Sequence, residues 1–220
     1  MQRLLPVSPG THGKGAELEW LTEGLARAGC RQLLLRELHL EERQVVQLAT
    51  RLAVRLPQLI LHDRMPRARH VARVAGWGLH LPSGTDVAAV RADFPHRLGV
   101  SCHSVDEVLA AEGAGADYVL LSPIWRPTSK PADRRPCLGT PGLRDATTRA
   151  PLPIFALGGV RGDRVTKARR AGAFGVAVLG GLFGGDPVVE EVEDRAADYL
   201  RRLSGQLELP GRAQTGRRAR

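Results

Sequence analysis

The sequence predicts an α/β protein, and within that class a single-domain (β/α)8 TIM barrel. Short apolar runs alternate with segments of helical periodicity, which is typical of βαβ units and a parallel sheet. Eight such runs occur, as many as a closed barrel needs, whereas an open doubly wound sheet usually has fewer strands. Polar side chains follow these runs, at the strand ends where both architectures hold their chemistry.

The eight predicted strands are apolar runs of three to six residues bounded by polar or turn residues. They are residues 3–7, 32–35, 59–61, 76–79, 98–100, 117–121, 153–157 and 174–179. The pattern is clearest around the fifth strand, which ends in Ser101-Cys102-His103 before a helical segment and the sixth strand. That strand in turn opens into a proline-rich loop that carries Lys130.

Each predicted strand is followed by a segment with helical signals. Leu18, Leu21 and Leu25 recur at helical spacing after the first strand, Pro66 can open the third helix, and Thr85 is a candidate N-cap for the fourth. The predicted helices are residues 16–28, 41–56, 66–74, 85–94, 104–112, 142–148, 163–171 and 187–203.

Residues 1–203 are predicted to form the barrel, and residues 204–220 a basic tail with too little apolar content to pack, and hence disordered. The net charge is +9, but residues 201–220 alone hold six Arg and one Glu. Because these 20 C-terminal residues carry +5 of the +9 and only 4% of residues are aromatic, we expect no nucleic-acid binding.

The sequence indicates a cytoplasmic protein with no membrane partner. It has no apolar run of about 18 residues, and the apolar part of its N-terminus is too short for a signal peptide. Its three cysteines, Cys30, Cys102 and Cys137, lack the spacing of metal sites and are expected to be free thiols. The sequence leaves open whether the chain forms a homo-oligomer.

Four of the seven histidines, His39, His62, His80 and His103, stand at the ends of predicted strands. Histidine can take and give a proton near neutral pH, so this coincidence of position indicates acid–base chemistry. The alternatives are rim residues and a metal cluster. No HxH or HxxxH pair supports the metal cluster.

Glycine pairs follow the seventh and eighth predicted strands, as Gly158-Gly159 and Gly180-Gly181. In barrels the loops after these two strands commonly bind phosphate through bare backbone N–H groups, and glycine allows a close approach. We therefore expect a phosphorylated ligand at this position. The alternative is that the glycines serve turn geometry alone.

Arg36, Arg64 and Lys130 add positive charge over the same mouth and suit a second anion, a phosphate or a carboxylate. Arg36 has an alternative, an ion pair with Glu37 or Asp63. Asp63 itself is a candidate to orient a histidine or to hold Mg²⁺.

Taken in order, these segments resemble the thiamine-phosphate synthase and TenI superfamily of barrels. The resemblance spans about residues 32–183 and rests on the order and spacing of seven landmarks. They are LLLRELHL, LILHDR, GWGLHLPS, GVSCHSVDEVLAAEGAGADYVLLSPIW, PTSK, LPIFALGGV and GAFGVAVLGGLF. It implies a cytoplasmic enzyme that makes the thiazole half of thiamine or joins the two halves, acting on a small phosphorylated thiazole.

The synthase branch of this family implies coupling of hydroxymethylpyrimidine pyrophosphate to thiazole phosphate with Mg²⁺. The chain departs from its pattern at three strand ends. Leu34 and Leu38 stand where the branch has Gln and Lys, and His62 stands where it has Asn. Residues 82–85 replace the Gly-Gln-acidic-Asp stretch of the fourth strand end.

Five residues of the synthase pattern are retained: Arg36, Asp63, Ser101, Ser129 and Lys130. Asp63 would be a metal ligand, and Mg²⁺ a cofactor, only if the chain is a synthase. Otherwise the resemblance implies no cofactor.

The tautomerase branch resembles the chain better at the fifth strand, where Ser101-Cys102-His103-Ser104 matches its Ser-x-His-Ser. The resemblance implies that His103 moves a proton to aromatise a carboxythiazole phosphate tautomer, without a metal. Sequence analysis therefore ranks a thiazole tautomerase first, a thiamine-phosphate synthase second and a non-catalytic binder or regulator third. The predicted catalytic residues are His103, Lys130 and Arg36, and the predicted substrate-binding residues are Ser101, Ser129, His62, His80, Gly158, Gly159, Gly180 and Gly181.

Overall fold

The computed structural model describes residues 1–10, 15–127 and 135–205, and it confirms the predicted (β/α)8 barrel. All strands are parallel, in the order β1-β8-β7-β6-β5-β4-β3-β2. They are β1 (Leu4–Pro6), β2 (Gln32–Leu35), β3 (Gln58–His62), β4 (Gly78–Leu81), β5 (Leu98–Cys102), β6 (Tyr118–Leu121), β7 (Ile154–Ala156) and β8 (Gly175–Val178). A parallel bridge between Val7 and Leu34 joins β1 to β2, so the sheet forms a nearly closed barrel.

Helices cover the outside of the sheet. They are α1 (Gly15–Arg27), α2 (Glu42–Arg55), α3 (Ala68–Ala75), α4 (Val87–Asp93), α5 (Val105–Gly113), α6 (Gly139–Arg149), α7 (Asp163–Arg170), α8 (Gly180–Phe183) and α9 (Val189–Ser204). The short α8 is absent from the sequence prediction, because its four residues are too few to show a helical period.

Two apolar layers hold the barrel, because neighbouring strand residues point to opposite faces of the sheet. The inner layer consists of Leu5, Val7, Leu34, Ile60, Tyr118, Leu120, Phe155 and Ala177. The alternate strand residues, such as Leu33, Leu35 and Val119, pack outward beneath the helices. The inner layer fills the barrel as a core, so a ligand can enter only at the strand ends.

The fourth strand lies two residues later than predicted, at Gly78–Leu81. Gly76 belongs instead to the end of α3, where its φ of 73° places it in the left-handed region and its N–H bonds the carbonyl of Ala72. As a result His80 lies inside β4, and the prediction that it follows the strand is wrong. A histidine inside a strand is held far more firmly than one in a loop.

The structure describes the C-terminal part of the chain as far as Gly205. α9 ends at Ser204, and residues 206–220 lie outside the described residues, so the disordered tail stays a prediction.

Across the part of the chain that the structure describes, no helix is long and apolar enough to cross a membrane. Cys30, Cys102 and Cys137 are free thiols, as predicted.

Candidate active site

A cavity of about 550 Å³ opens at the carboxyl ends of the strands. It brings together every predicted catalytic and substrate-binding residue that the structure describes. These are Arg36, His62, His80, Ser101, His103, Gly158, Gly159, Gly180 and Gly181. Ser129 and Lys130 lie outside the described residues. A pocket of this size, lined by apolar walls and a few converging polar groups, is typical of small-molecule sites.

The glycine loop after β7 has a conformation that only glycine adopts easily. Gly158 and Gly159 have φ values of 95° and 62°, in the left-handed region. The Gly158 carbonyl accepts a hydrogen bond from the Trp125 N–H at 3.1 Å, and a Cβ on Gly159 would lie 2.5 Å from the carbonyl oxygen of Arg126. The glycines therefore serve turn geometry and also line the cavity.

Replacing Gly159 by alanine should lower the free energy of unfolding by about 1–3 kcal/mol, because backbone strain is joined by a collision with the Arg126 carbonyl. The displaced loop should also bind inorganic phosphate more weakly. Urea unfolding and calorimetric phosphate titration measure the two effects. The matched control is Gly162→Ala, with a φ of 50° and no atom within 4 Å of the added Cβ. Equal losses in the two variants would show that the close contact is unimportant.

Two side chains that sequence analysis missed complete this end of the cavity. Arg164 lines it, donates from Nη1 to the Gly159 carbonyl at 2.7 Å, and lies 5.6 Å from the centre of the Trp125 ring. Tyr199 of α9 also lines it and donates to the Val160 carbonyl at 2.9 Å. An arginine in the first turn of a helix, where acidic residues are favoured, was the available signal for Arg164.

Arg36 and Arg64 form the cationic mouth predicted after β2 and β3, and both line the cavity. Among the described residues neither guanidinium has a hydrogen-bond or ion-pair partner. Burial, and then the charge of Arg64, lower the pKa of Arg36 below its usual value. Two unpaired like charges in a cavity favour an anionic ligand.

The alternative ion pairs considered for Arg36 do not form. The buried Glu37 carboxylate accepts the Gly10 N–H at 3.0 Å. Asp63 is bound by Arg69, whose Nη2 lies 2.7 Å and whose Nε lies 3.2 Å from its two oxygens.

The described residues do not fit a magnesium–diphosphate site. No Asp or Glu is among the described residues that line the cavity, and Asp63 is held by Arg69 outside that lining. Within the described ranges no three His, Cys, Asp or Glu side chains cluster as a metal site would require. Mg²⁺ prefers carboxylate and phosphate oxygens, and the described lining of the cavity offers no carboxylate.

His103 is held at the rim of the cavity by its neighbours on two loops. Its Nδ1 lies 2.7 Å from the Ser122 carbonyl oxygen, which fixes the proton on Nδ1 and leaves Nε2 as an acceptor. The Arg135 Nη1 lies over the ring, 2.7 Å from Nε2 and 2.9 Å from Nδ1. The His103 backbone N–H also donates to Glu107 at 2.9 Å, while Ser104 caps α5. An imidazole nitrogen that faces a ligand cavity and can accept a proton is suited to proton abstraction.

His80 is different, because it is fully buried within β4. Burial, and then the neighbouring His62, lower the pKa of His80 to about 3, so it is neutral at ordinary pH. His62 accepts the Arg64 backbone N–H at its Nδ1, at 3.2 Å. Of the three histidines that line the cavity, His103 has the environment best suited to exchange protons with a ligand.

Comparison with known proteins decides the family. Residues 4–182 match the family model for thiamine monophosphate synthase, TMP-TENI. The chain belongs to this family. The match spans all eight strands, somewhat more than the resemblance seen in the sequence.

Relatives in this family carry synthase names. The chain is 34% identical over 176 residues to a putative thiamine-phosphate synthase of Geobacter sulfurreducens, covering 76% of this chain and 80% of that one. It is 32% identical over 210 residues to the thiamine-phosphate synthase of Chloroflexus aurantiacus, covering 91% and 92%. These names agree better with the transferase than with the isomerase that sequence analysis ranks first.

Solved structures support the fold. A thiamine phosphate pyrophosphorylase from Pyrococcus furiosus superposes with a TM-score of 0.72 at 21% identity, covering 90% of this chain and 96% of that one. A structure titled native KDPGal superposes equally well, with a TM-score of 0.73 at 16% identity, covering 93% and 98%. At such identities the likeness concerns the barrel alone.

Proposed function

We propose that the chain is an enzyme of thiamine biosynthesis that binds a small phosphorylated thiazole in the barrel cavity. The observation that carries the proposal is that two groups of candidate anion-binding residues line one cavity. One group is the glycine loop after β7, the two glycines that begin α8, and Arg164; the other is the pair Arg36 and Arg64. Backbone N–H groups and arginines are the usual partners of phosphate oxygens.

The first candidate reaction is thiamine-phosphate synthesis, a group transfer, and the names of the relatives support it. The thiazole nitrogen would form a bond to the methylene carbon of a pyrimidine diphosphate. The bond from that carbon to the diphosphate oxygen breaks, and diphosphate leaves with the electron pair. In this chain Arg36 and Arg64 would take up the charge that develops on the leaving group, while the glycine loops hold the thiazole phosphate.

The second candidate is aromatisation of a carboxythiazole phosphate, and the position of His103 favours it. The Nε2 of His103 would take a carbon-bound proton and return one at another atom of the ring. The Arg135 guanidinium lies 2.7 Å from that nitrogen. On substrate binding it would pair with the substrate carboxylate instead, which leaves His103 Nε2 free to take the proton. Arg36 would hold the same carboxylate or the phosphate, and Lys130 stays a candidate for this role. The reaction needs neither a leaving group nor a metal.

Two assays on the purified chain test these candidates. One follows thiamine phosphate formed from hydroxymethylpyrimidine diphosphate and thiazole phosphate, with and without Mg²⁺. The other follows conversion of the non-aromatic carboxythiazole phosphate in a single turnover. Product in the first assay supports the transferase, and conversion in the second alone supports the isomerase. Ligand binding without either reaction would leave the non-catalytic binder.

A further inference from the structure

Three polar side chains form a hydrogen-bonded series that runs from the barrel core to the cavity. The Tyr118 hydroxyl lies 3.1 Å from His80 Nδ1, and His80 Nε2 lies 2.9 Å from Ser101 Oγ. Tyr118 and His80 have no exposed surface, whereas Ser101 is partly exposed and lines the cavity. The proposed reactions make no use of Tyr118.

The available donors and acceptors determine which group donates in each of these two hydrogen bonds. Among the described residues the Tyr118 hydroxyl has His80 Nδ1 as its single polar partner. If Nδ1 carried the proton, the buried tyrosine O–H would have no acceptor, which is costly. The tyrosine therefore donates to Nδ1, and the proton of the imidazole lies on Nε2, which donates to Ser101. The serine then keeps its own proton for a partner in the cavity.

The surroundings of His80 and Tyr118 keep the direction of these hydrogen bonds fixed. His80 is neutral at ordinary pH, so a second proton on the imidazole does not change which groups donate. Tyr118 is packed so tightly that a Cβ on Gly99 would lie 2.0 Å from its ring, and the Phe155 ring lies 5.8 Å away, centre to centre. The Tyr118 ring is therefore held in place, with its hydroxyl beside His80 Nδ1.

We propose that Tyr118 is a positioning residue which, acting through His80, holds the Ser101 hydroxyl as a hydrogen-bond donor to an oxyanion of the ligand. This inference rests on the proposed anion-binding function of the cavity and specifies the polarity of one contact within it. A donor aimed at the ligand favours phosphate or carboxylate oxygens over groups that are themselves donors.

The experiment combines a spectroscopic readout with binding. Nitrogen-15 NMR of the full wild-type chain, labelled at histidine, should show His80 neutral with its proton on Nε2. Inorganic pyrophosphate should bind about 3- to 10-fold more weakly to Tyr118→Phe, because the serine donor is no longer aligned. Ser101→Ala should cause a similar loss, and adding Tyr118→Phe to it should cause no further loss. Thr22→Val removes a buried hydroxyl from α1 at a residue that does not line the cavity, so it is the matched control and should bind normally.

Each outcome decides the inference. A proton on Nδ1 of His80, with pyrophosphate still bound by the wild-type chain, overturns the inference alone. If Tyr118→Phe causes equal losses in the wild-type chain and in the Ser101→Ala variant, the tyrosine acts in some other way, and this result also overturns it. The expected tautomer without any pyrophosphate binding overturns the inference together with the proposed function, and identifies anion binding as the failed premise.

Discussion

Replacing Arg36 by methionine should weaken binding of inorganic pyrophosphate by about 10- to 100-fold, the usual effect of losing a hydrogen bond between charged groups. Its guanidinium faces the cavity beside Arg64, with no hydrogen-bond or ion-pair partner among the described residues. The same variant should unfold at an equal or higher urea concentration. The pKa of Arg36 is lowered in the folded chain, so the charged form of Arg36 is less favourable there than in the unfolded chain. Methionine keeps the apolar stem and removes that cost.

A loss of affinity combined with retained stability is what distinguishes a binding residue from a structural one. Calorimetric titration of pyrophosphate gives the affinity, and urea unfolding gives the stability. The matched control is Arg43→Met on α2, an exposed arginine that does not line the cavity, and it should change neither quantity. If Arg36→Met bound pyrophosphate normally, the cationic mouth would have to be moved to Arg64, Arg161 and Arg164.

The barrel can be predicted from the sequence because its evidence is local. Each strand is a short apolar run, and each run is followed by a helical period, so eight repeats identify the architecture without knowledge of any contact. The errors concern boundaries. The sequence pattern places Gly76 in a strand because glycine is compatible with either element, whereas its left-handed φ of 73° is decided by the end of α3.

The site can be predicted in part for the same reason. His103, Arg36 and the glycine pairs directly follow strands, so chain order alone brings them to one face of the barrel. Tyr199 and Arg164 reach the cavity from helices, through the packing of α9 against the loop after β7 and through the bond to Gly159. The contact of Tyr199 joins residues 39 apart in the sequence, so no local pattern reveals it. Arg164 lies close to Gly159 in the sequence, and its position in the first turn of α7 was the one local signal for it.

Burial is the property that separates the histidines, and the sequence shows it poorly. His62, His80 and His103 look alike as residues at strand ends. In the structure His80 is enclosed between Tyr118 and Ser101, with a pKa of about 3, whereas His103 lies at the rim beside Arg135. The histidine best placed to exchange protons with a ligand is therefore His103, the least buried of the three.

His103→Gln should lower the rate of isomerisation by about 10² to 10⁴, the usual contribution of general acid–base catalysis. Glutamine is polar and similar in length to histidine, and His103 is only partly buried, so fold and ligand affinity should be retained. It cannot carry a proton between two atoms of the substrate. Any dependence of the wild-type rate on pH that comes from this imidazole should vanish in the variant. His80 cannot cause it, because its pKa is about 3.

The same variant separates the two candidate reactions. Coupling forms a carbon–nitrogen bond and breaks a carbon–oxygen bond without moving a proton, so His103→Gln should slow coupling by less than about tenfold, well short of an acid–base effect. His70→Gln on the exposed face of α3 is the control and should leave both rates unchanged. Stopped-flow measurement of the two reactions between about pH 5 and 8 provides the data. Normal isomerisation by His103→Gln, with the loss found instead in His62→Gln, would move the proton transfer from the end of β5 to the end of β3.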